Sequence, residues 1–171
     1  MLTRRRLLAG SVTGLTAWFG VFELGTVEAK ADSFPVTHTD AEWRKRLTPE
    51  QYAVLRRAAT EQPFSSALLK EDRPGIFACA GCGNGVFSSE TKFESGTGWP
   101  SFWAPLEDDA IGTLRDTRLG MVRTAVHCAA CGGHLGHVFD DGPKVTGLRY
   151  CINGVALTFK PTAARSEERS R

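Results

Sequence analysis

The sequence predicts a mainly β domain with a few short helices on its N-terminal side. Three observations carry that prediction. Glycine is abundant, at 18 of 171 residues, which implies many turns. Short apolar or alternating runs recur between Gly, Asp and Pro, the spacing of an all-β chain. Two Cys-x-x-Cys-Gly units, well separated in the chain, supply a way to staple a small fold. With 42% hydrophobic and 23% charged residues the composition is globular, and the length suits one domain with a real core.

In chain order, Thr3-Arg4-Arg5-Arg6-Leu7-Leu8 is a basic region followed by an uncharged run of 16 residues, Leu7 to Phe22, diluted by Gly10, Gly14 and Gly20. Ala29-Lys30-Ala31 then offers small residues at the two positions a signal peptidase reads. Residues 1–31 are therefore predicted to be a signal peptide of the twin-arginine type, cleaved near Ala31. Its partner would be the twin-arginine export machinery, and the mature protein would be periplasmic or otherwise exported. An uncleaved membrane anchor is the competing reading, but 16 residues is short for a spanning helix. Cleavage removes four of the 21 basic and two of the 19 acidic residues, leaving 17 of each. The positive surplus belongs to the leader, which argues against nucleic acid as a partner.

Residues 32–163 are expected to form the single domain. Asp32 to Thr39 reads as a linker. A short helical segment is expected near Ala41 to Arg46. Thr48-Pro49-Glu50-Gln51 is a helix start, with Thr48 as cap, Pro49 at the first helical position and Gln51 closing a capping box. Tyr52, Leu55 and Ala58 give that helix an apolar stripe from about Pro49 to Ala59. Beyond Gln62, strands are predicted at Ile76–Ala78, Gly85–Phe87, Met121–His127, His137–Phe139, Leu148–Ile152 and Val155–Phe159. Residues 164–171 are charged, lack an apolar face, and are expected to be a disordered tail.

Cys79-Ala80-Gly81-Cys82-Gly83 and Cys128-Ala129-Ala130-Cys131-Gly132 are matched units. Two intervening residues let both thiolates turn to one point, and the following Gly lets the backbone curl so that its N–H groups face the sulfurs. Together the four cysteines predict one structural zinc ion in a closed tetrahedral site. The 45 residues between Cys82 and Cys128 are tolerable if they fold. Two disulfides, or a redox-active Cys-x-x-Cys, are the alternatives that an oxidising compartment would favour.

Cys151 is the fifth cysteine and has no partner. In the strand around it, Arg149, Cys151 and Asn153 would share one face, with Leu148, Tyr150 and Ile152 on a core-like opposite face. A cation beside a thiol favours the nucleophilic thiolate, so Cys151 is predicted to be reactive, against the alternative of a buried inert thiol. His134 and His137 follow the second knuckle directly and are expected to be delivered to that site as proton carriers. In Ser95-Gly96-Thr97-Gly98-Trp99-Pro100-Ser101-Phe102-Trp103, the glycines allow Trp99 to be presented at a site edge, where it would suit a methyl or a soft sulfur group.

These elements together resemble the methionine-R-sulfoxide reductases. The resemblance runs through Thr48-Pro49-Glu50-Gln51-Tyr52, Thr60-Glu61-Gln62-Pro63-Phe64-Ser65, the first knuckle, Lys92-Phe93-Glu94-Ser95-Gly96-Thr97-Gly98-Trp99-Pro100-Ser101-Phe102, Gly136-His137-Val138-Phe139 and Arg149-Tyr150-Cys151-Ile152-Asn153. It implies two antiparallel sheets with a few helices, and a zinc ion away from the catalytic thiol. It implies reduction of methionine-R-sulfoxide in oxidised proteins or peptides, with Cys151 as nucleophile and a sulfenic acid intermediate. His134 and His137 would bind or protonate the sulfoxide oxygen. Arg149 would support the thiolate and Asn153 the geometry, while Trp99 and Phe139 would contact the substrate. Many members carry a resolving cysteine where this chain has Thr97. The oxidised Cys151 is therefore expected to be reduced by a thioredoxin-like partner or another external thiol. The protein is expected to act as a monomer. A zinc-ribbon binding module without catalysis and an exported thiol–disulfide oxidoreductase are the readings from other classes.

Overall fold

Two threonines open the two helices in the same way. The Thr39 and Thr48 hydroxyls accept from the backbone N–H three residues on, and the side chains of Glu42 and Gln51 return to the threonine N–H groups. Each is a complete capping box. Helix α1 spans Asp40–Arg46 and helix α2 spans Pro49–Arg57. The second ends two residues short of the predicted limit because Ala58 turns left-handed, at φ 51°. The computed structural model describes residues 34–162, so the expected signal peptide and C-terminal tail lie outside the described residues. Among the described residues, no helix is long and apolar enough to cross a membrane.

Among the described residues nine strands follow: β1 (Gly75–Cys79), β2 (Gly85–Ser88), β3 (Lys92–Phe93), β4 (Ser101–Phe102), β5 (Ile111–Asp116), β6 (Arg123–Cys128), β7 (His134–Phe139), β8 (Arg149–Ile152) and β9 (Leu157–Pro161). They form two antiparallel sheets, as expected: a three-stranded sheet ordered β2-β1-β9 and a six-stranded sheet ordered β3-β4-β8-β7-β6-β5. Three strands lie where sequence periodicity is weak. Strands β3 and β4 have two residues each, too short to show alternation, and half of β5 is solvent-exposed, in one unbroken run. The run expected as one strand from Val155 begins instead with a 3-10 turn, Gly154–Ala156, before β9.

The sheets are joined by aromatic packing. Phe87 stacks on Phe102 at 4.4 Å, and Phe77 meets Phe102 edge-on at 5.0 Å. Such pairs add about 0.5–1.5 kcal/mol each beyond the area they bury. Trp43, Tyr52, Val54 and Leu55 of the helices complete the core with Val126, Leu135 and Ile152. The expected linker is docked: the Val36 N–H donates to the Ala130 carbonyl at 2.8 Å, and Phe34 packs edge-on against His127. Leu148 is a second departure. It precedes β8 and is 37% exposed, so Tyr150 and Ile152 alone form the core side of that strand.

Candidate active site and metal centre

Each Cys-x-x-Cys unit sits on a hairpin, and the hairpins belong to different sheets. Cys79 ends β1 and Cys82 lies in the turn to β2, whereas Cys128 ends β6 and Cys131 lies in the turn to β7. Gly83 and Gly132 take φ +77° and +67°, which lets each turn close. Their N–H groups donate to the carbonyls of Cys79 and Cys128 at 2.8 Å, and the curled backbone turns the N–H groups of Asn84 and Cys131 toward the sulfurs of Cys82 and Cys128, as the sequence suggested. All four Sγ atoms lie within 4.8 Å of one another, with Cys79–Cys131 at 3.7 Å and Cys82–Cys128 at 3.6 Å. A disulfide needs about 2.05 Å. Four thiolates at about 2.3 Å around one tetrahedral ion are about 3.8 Å apart. The set therefore fits a metal ion, and the same ion would tie the two sheets together. Without a cation the sulfurs cannot all ionise. The thiols around Cys128 push it toward the thiolate, while Cys79 beside it is pushed the other way. Asn84 Nδ2 reaches Cys128 Sγ at 3.7 Å from outside the cluster.

Cys151 lies in the middle of the six-stranded sheet. It pairs with Ser101 of β4 on one side and His137 of β7 on the other, so all three side chains share one face. One row along, Arg149 pairs with Phe139. On this face a cavity of ≈ 140 Å³ is lined by Cys151, His137, Phe139, Trp99 and Asn153 together with Thr60 and Arg123. With a water's share of liquid volume near 30 Å³, that is room for a group of a few heavy atoms. Asn153 lies just beyond β8, where it precedes the 3-10 turn, and its Nδ2 donates to the Leu135 carbonyl at 2.9 Å. Trp99 is fixed by its indole N–H, which donates to the Glu61 carbonyl at 3.2 Å.

Two expected residues stand at the margin of this cavity. Arg149 is held bidentate by Asp141, at 2.8 Å for both bonds, and lies over the Phe139 ring at 4.5 Å. His134 packs edge-on against His137, with ring centroids 5.3 Å apart, but lines a separate cavity with Arg118, His127 and α2. Burial drives its basicity down to about 4.

The electrostatics correct one expectation. Burial pushes the Cys151 thiol above its ordinary value, against the Thr97 hydroxyl at 3.8 Å and the Arg149 charge, which both favour the thiolate. Cys151 therefore rests as a thiol at neutral pH. Burial also lowers His137, against the Asp116 carboxylate, so the ring rests neutral. Asp116 itself is held far below the usual carboxylate range by Arg118, and then by His137.

Several contributors carried no signal in the sequence. Asp116 Oδ2 accepts from His137 Nε2 at 2.8 Å, and Arg123 lines the cavity from β6. Glu61 accepts from the N–H groups of Gly154 and Val155 at 2.6 and 2.8 Å, and its own N–H donates to Asn153 Oδ1 at 3.0 Å. It therefore holds the chain immediately after Cys151. Its motif stood out only by resemblance, with no role attached.

Comparison with known proteins agrees with this geometry. Residues 47–161 match the model of the SelR domain. A peptide methionine sulfoxide reductase MsrB of Leifsonia xyli subsp. xyli is 53% identical over 136 residues, covering 79% of this chain and 98% of the relative. Proteins of the same description from Pseudomonas putida (strain F1) and Methanosarcina barkeri are 56% and 54% identical, over 70% and 73% of this chain and 92% and 88% of their own lengths. With the model spanning most of the described chain and the identity above one half, the chain belongs to the SelR domain family.

Proposed function

We infer that this protein is a peptide-methionine (R)-S-oxide reductase that repairs oxidised methionine in proteins or peptides through Cys151. The observation that carries the reading is one small cavity in a SelR-family fold where a lone thiol meets an aromatic wall, a neutral imidazole and an amide. Trp99 and Phe139 suit the methyl and the sulfur of the side chain. His137, cross-strand from Cys151, is the proton carrier: it takes the thiol proton as Sγ attacks the sulfoxide sulfur and passes it to the sulfoxide oxygen. In balance, the S=O bond breaks, the methionine sulfur gains two electrons, and Cys151 leaves as sulfenic acid bearing the oxygen and the thiol proton. Separate places for methyl, oxygen and peptide chain select the R epimer.

Two external thiols return Cys151 to the thiol, releasing water and a disulfide; a thioredoxin-like protein would supply both. The chain has five cysteines, and four are gathered in the metal cluster. The residue touching Cys151 where many relatives of this fold would place a thiol is Thr97. The metal is zinc, held by Cys79, Cys82, Cys128 and Cys131 in a structural role. The leader proposed for residues 1–31 would export the folded protein through the twin-arginine machinery, and the exported form would begin at Asp32 on N-terminal sequencing. The protein acts as a monomer on this reading.

The test is dithiothreitol-driven reduction of a peptide carrying either epimer of methionine sulfoxide. Turnover of the R epimer alone is expected, with loss of all turnover in Cys151→Ser. Mass spectrometry of Cys151 after substrate and before reductant should show one added oxygen. Activity retained in Cys151→Ser would end the proposal.

A further inference from the structure

Asp116 closes β5, the edge strand of the six-stranded sheet, and is 4% exposed. Both of its oxygens are engaged. Oδ1 accepts from the backbone N–H and the Nε of Arg118, each at 3.0 Å. Oδ2 accepts from Arg123 Nη2 at 2.9 Å and from His137 Nε2 at 2.8 Å. Two of the groups it holds, His137 and Arg123, line the cavity that contains Cys151. The carboxylate is thus fixed by two guanidinium groups, and Oδ2, which also accepts from Arg118 Nη2 at 3.4 Å, meets the imidazole among them.

We propose that Asp116 is a positioning residue for sulfoxide reduction: it fixes His137 with its proton on Nε2, which leaves Nδ1 as the nitrogen that carries the Cys151 proton to the sulfoxide oxygen. The proposal rests on the reading of His137 as the proton carrier. A neutral imidazole has one N–H, and an ionised carboxylate only accepts, so the contact sets the tautomer. When Nδ1 takes a proton, the adjacent carboxylate stabilises the imidazolium, as in the carboxylate–histidine pairs of hydrolases. Arg118 and Arg123 keep Asp116 ionised, so it does not take the proton itself. The groups facing His137 are Asp116 from β5, Arg118 from the turn after it, Arg123 from β6, His134 from β7 and Cys151 from β8. Of the charged ones, Asp116 alone favours the imidazolium; the two arginines oppose it.

Asp116→Asn in the metal-loaded protein is expected to lower kcat by about 100-fold, with KM changed less than about twofold. The acid limb of the pH profile of kcat/KM should move to lower pH, because the arginines then act unopposed on His137. In a His137→Gln background the same substitution should add less than about a twofold loss. A further loss of about 100-fold there would overturn the proposal, since Asp116 would then act elsewhere. A wild-type rate in His137→Gln itself would instead remove the proton-carrier reading, a distinct outcome. The unsubstituted protein supplies a check independent of folding defects: long-range proton–nitrogen NMR of His137 should show the Nε2–H tautomer, and the Nδ1–H tautomer would overturn the proposal.

Discussion

Replacing Glu61 by Gln changes almost no volume yet should loosen the turn behind Cys151. The Glu61 carboxylate accepts from two consecutive backbone N–H groups, Gly154 at 2.6 Å and Val155 at 2.8 Å. Hydrogen bonds to a charged group contribute about 1.5–3 kcal/mol each, net. Gln can satisfy one of the two N–H groups through its carbonyl oxygen, at about 1 kcal/mol, and turns its amide donor toward the other. Glu61 is only partly buried, so the lower ends of these ranges apply. The expected loss is about 2–3 kcal/mol, or on the order of 10 °C in melting temperature for a domain of this size. Urea unfolding followed by tryptophan fluorescence would measure it. The kcat should fall as well, because the backbone of Glu61 also holds Trp99 and Asn153. A melting midpoint within about 2 °C of the parent would show that the carboxylate does not hold the turn, and the reasoning would fail.

Metal removal should be more severe. Binding of a structural zinc contributes about 10–16 kcal/mol, comparable with the whole stability of a domain. Chelation, or Cys128→Ser, is expected to abolish the cooperative unfolding transition, and elemental analysis of the parent should find one zinc per chain. A metal-free protein that still melts cooperatively would contradict this. Acid should also destabilise the fold through His134. Its folded value lies near 4, below the ordinary 6.5, so the unfolded chain binds the extra proton first and stability falls as pH drops from about 6.5 to about 4. The full effect is about 3 kcal/mol, and urea titrations at pH 7 and 4.5 should show a smaller drop in His134→Gln than in the parent. An equal drop in both would exclude His134 as the source. Finally, Thr97 Oγ1 lies 3.8 Å from Cys151 Sγ, so Thr97→Cys should install the internal disulfide this chain lacks. After one turnover without reductant, its mass should fall by two hydrogens instead of rising by an oxygen.

What the sequence determines by itself is local. Capping boxes at Thr39 and Thr48, the knuckle glycines, and the strand around Cys151 depend on residues within a few positions of one another. So does the pairing of cysteines within each knuckle. The two matched knuckles singled out the four cysteines that the fold gathers into one cluster, and elimination left Cys151 outside it. The site around that thiol depends on strand pairing, which no short motif encodes. Asp116 reaches His137 across two strand boundaries, and Glu61 meets Gly154 and Val155 from the far end of the domain. Strands β3 and β4 are too short, and β5 too exposed, to leave a period in the sequence. The state of Cys151 was decided the same way. A neighbouring arginine in the sequence argued for a thiolate, but Asp141 holds that guanidinium and burial outweighs its field, a balance that only the packed sheet establishes.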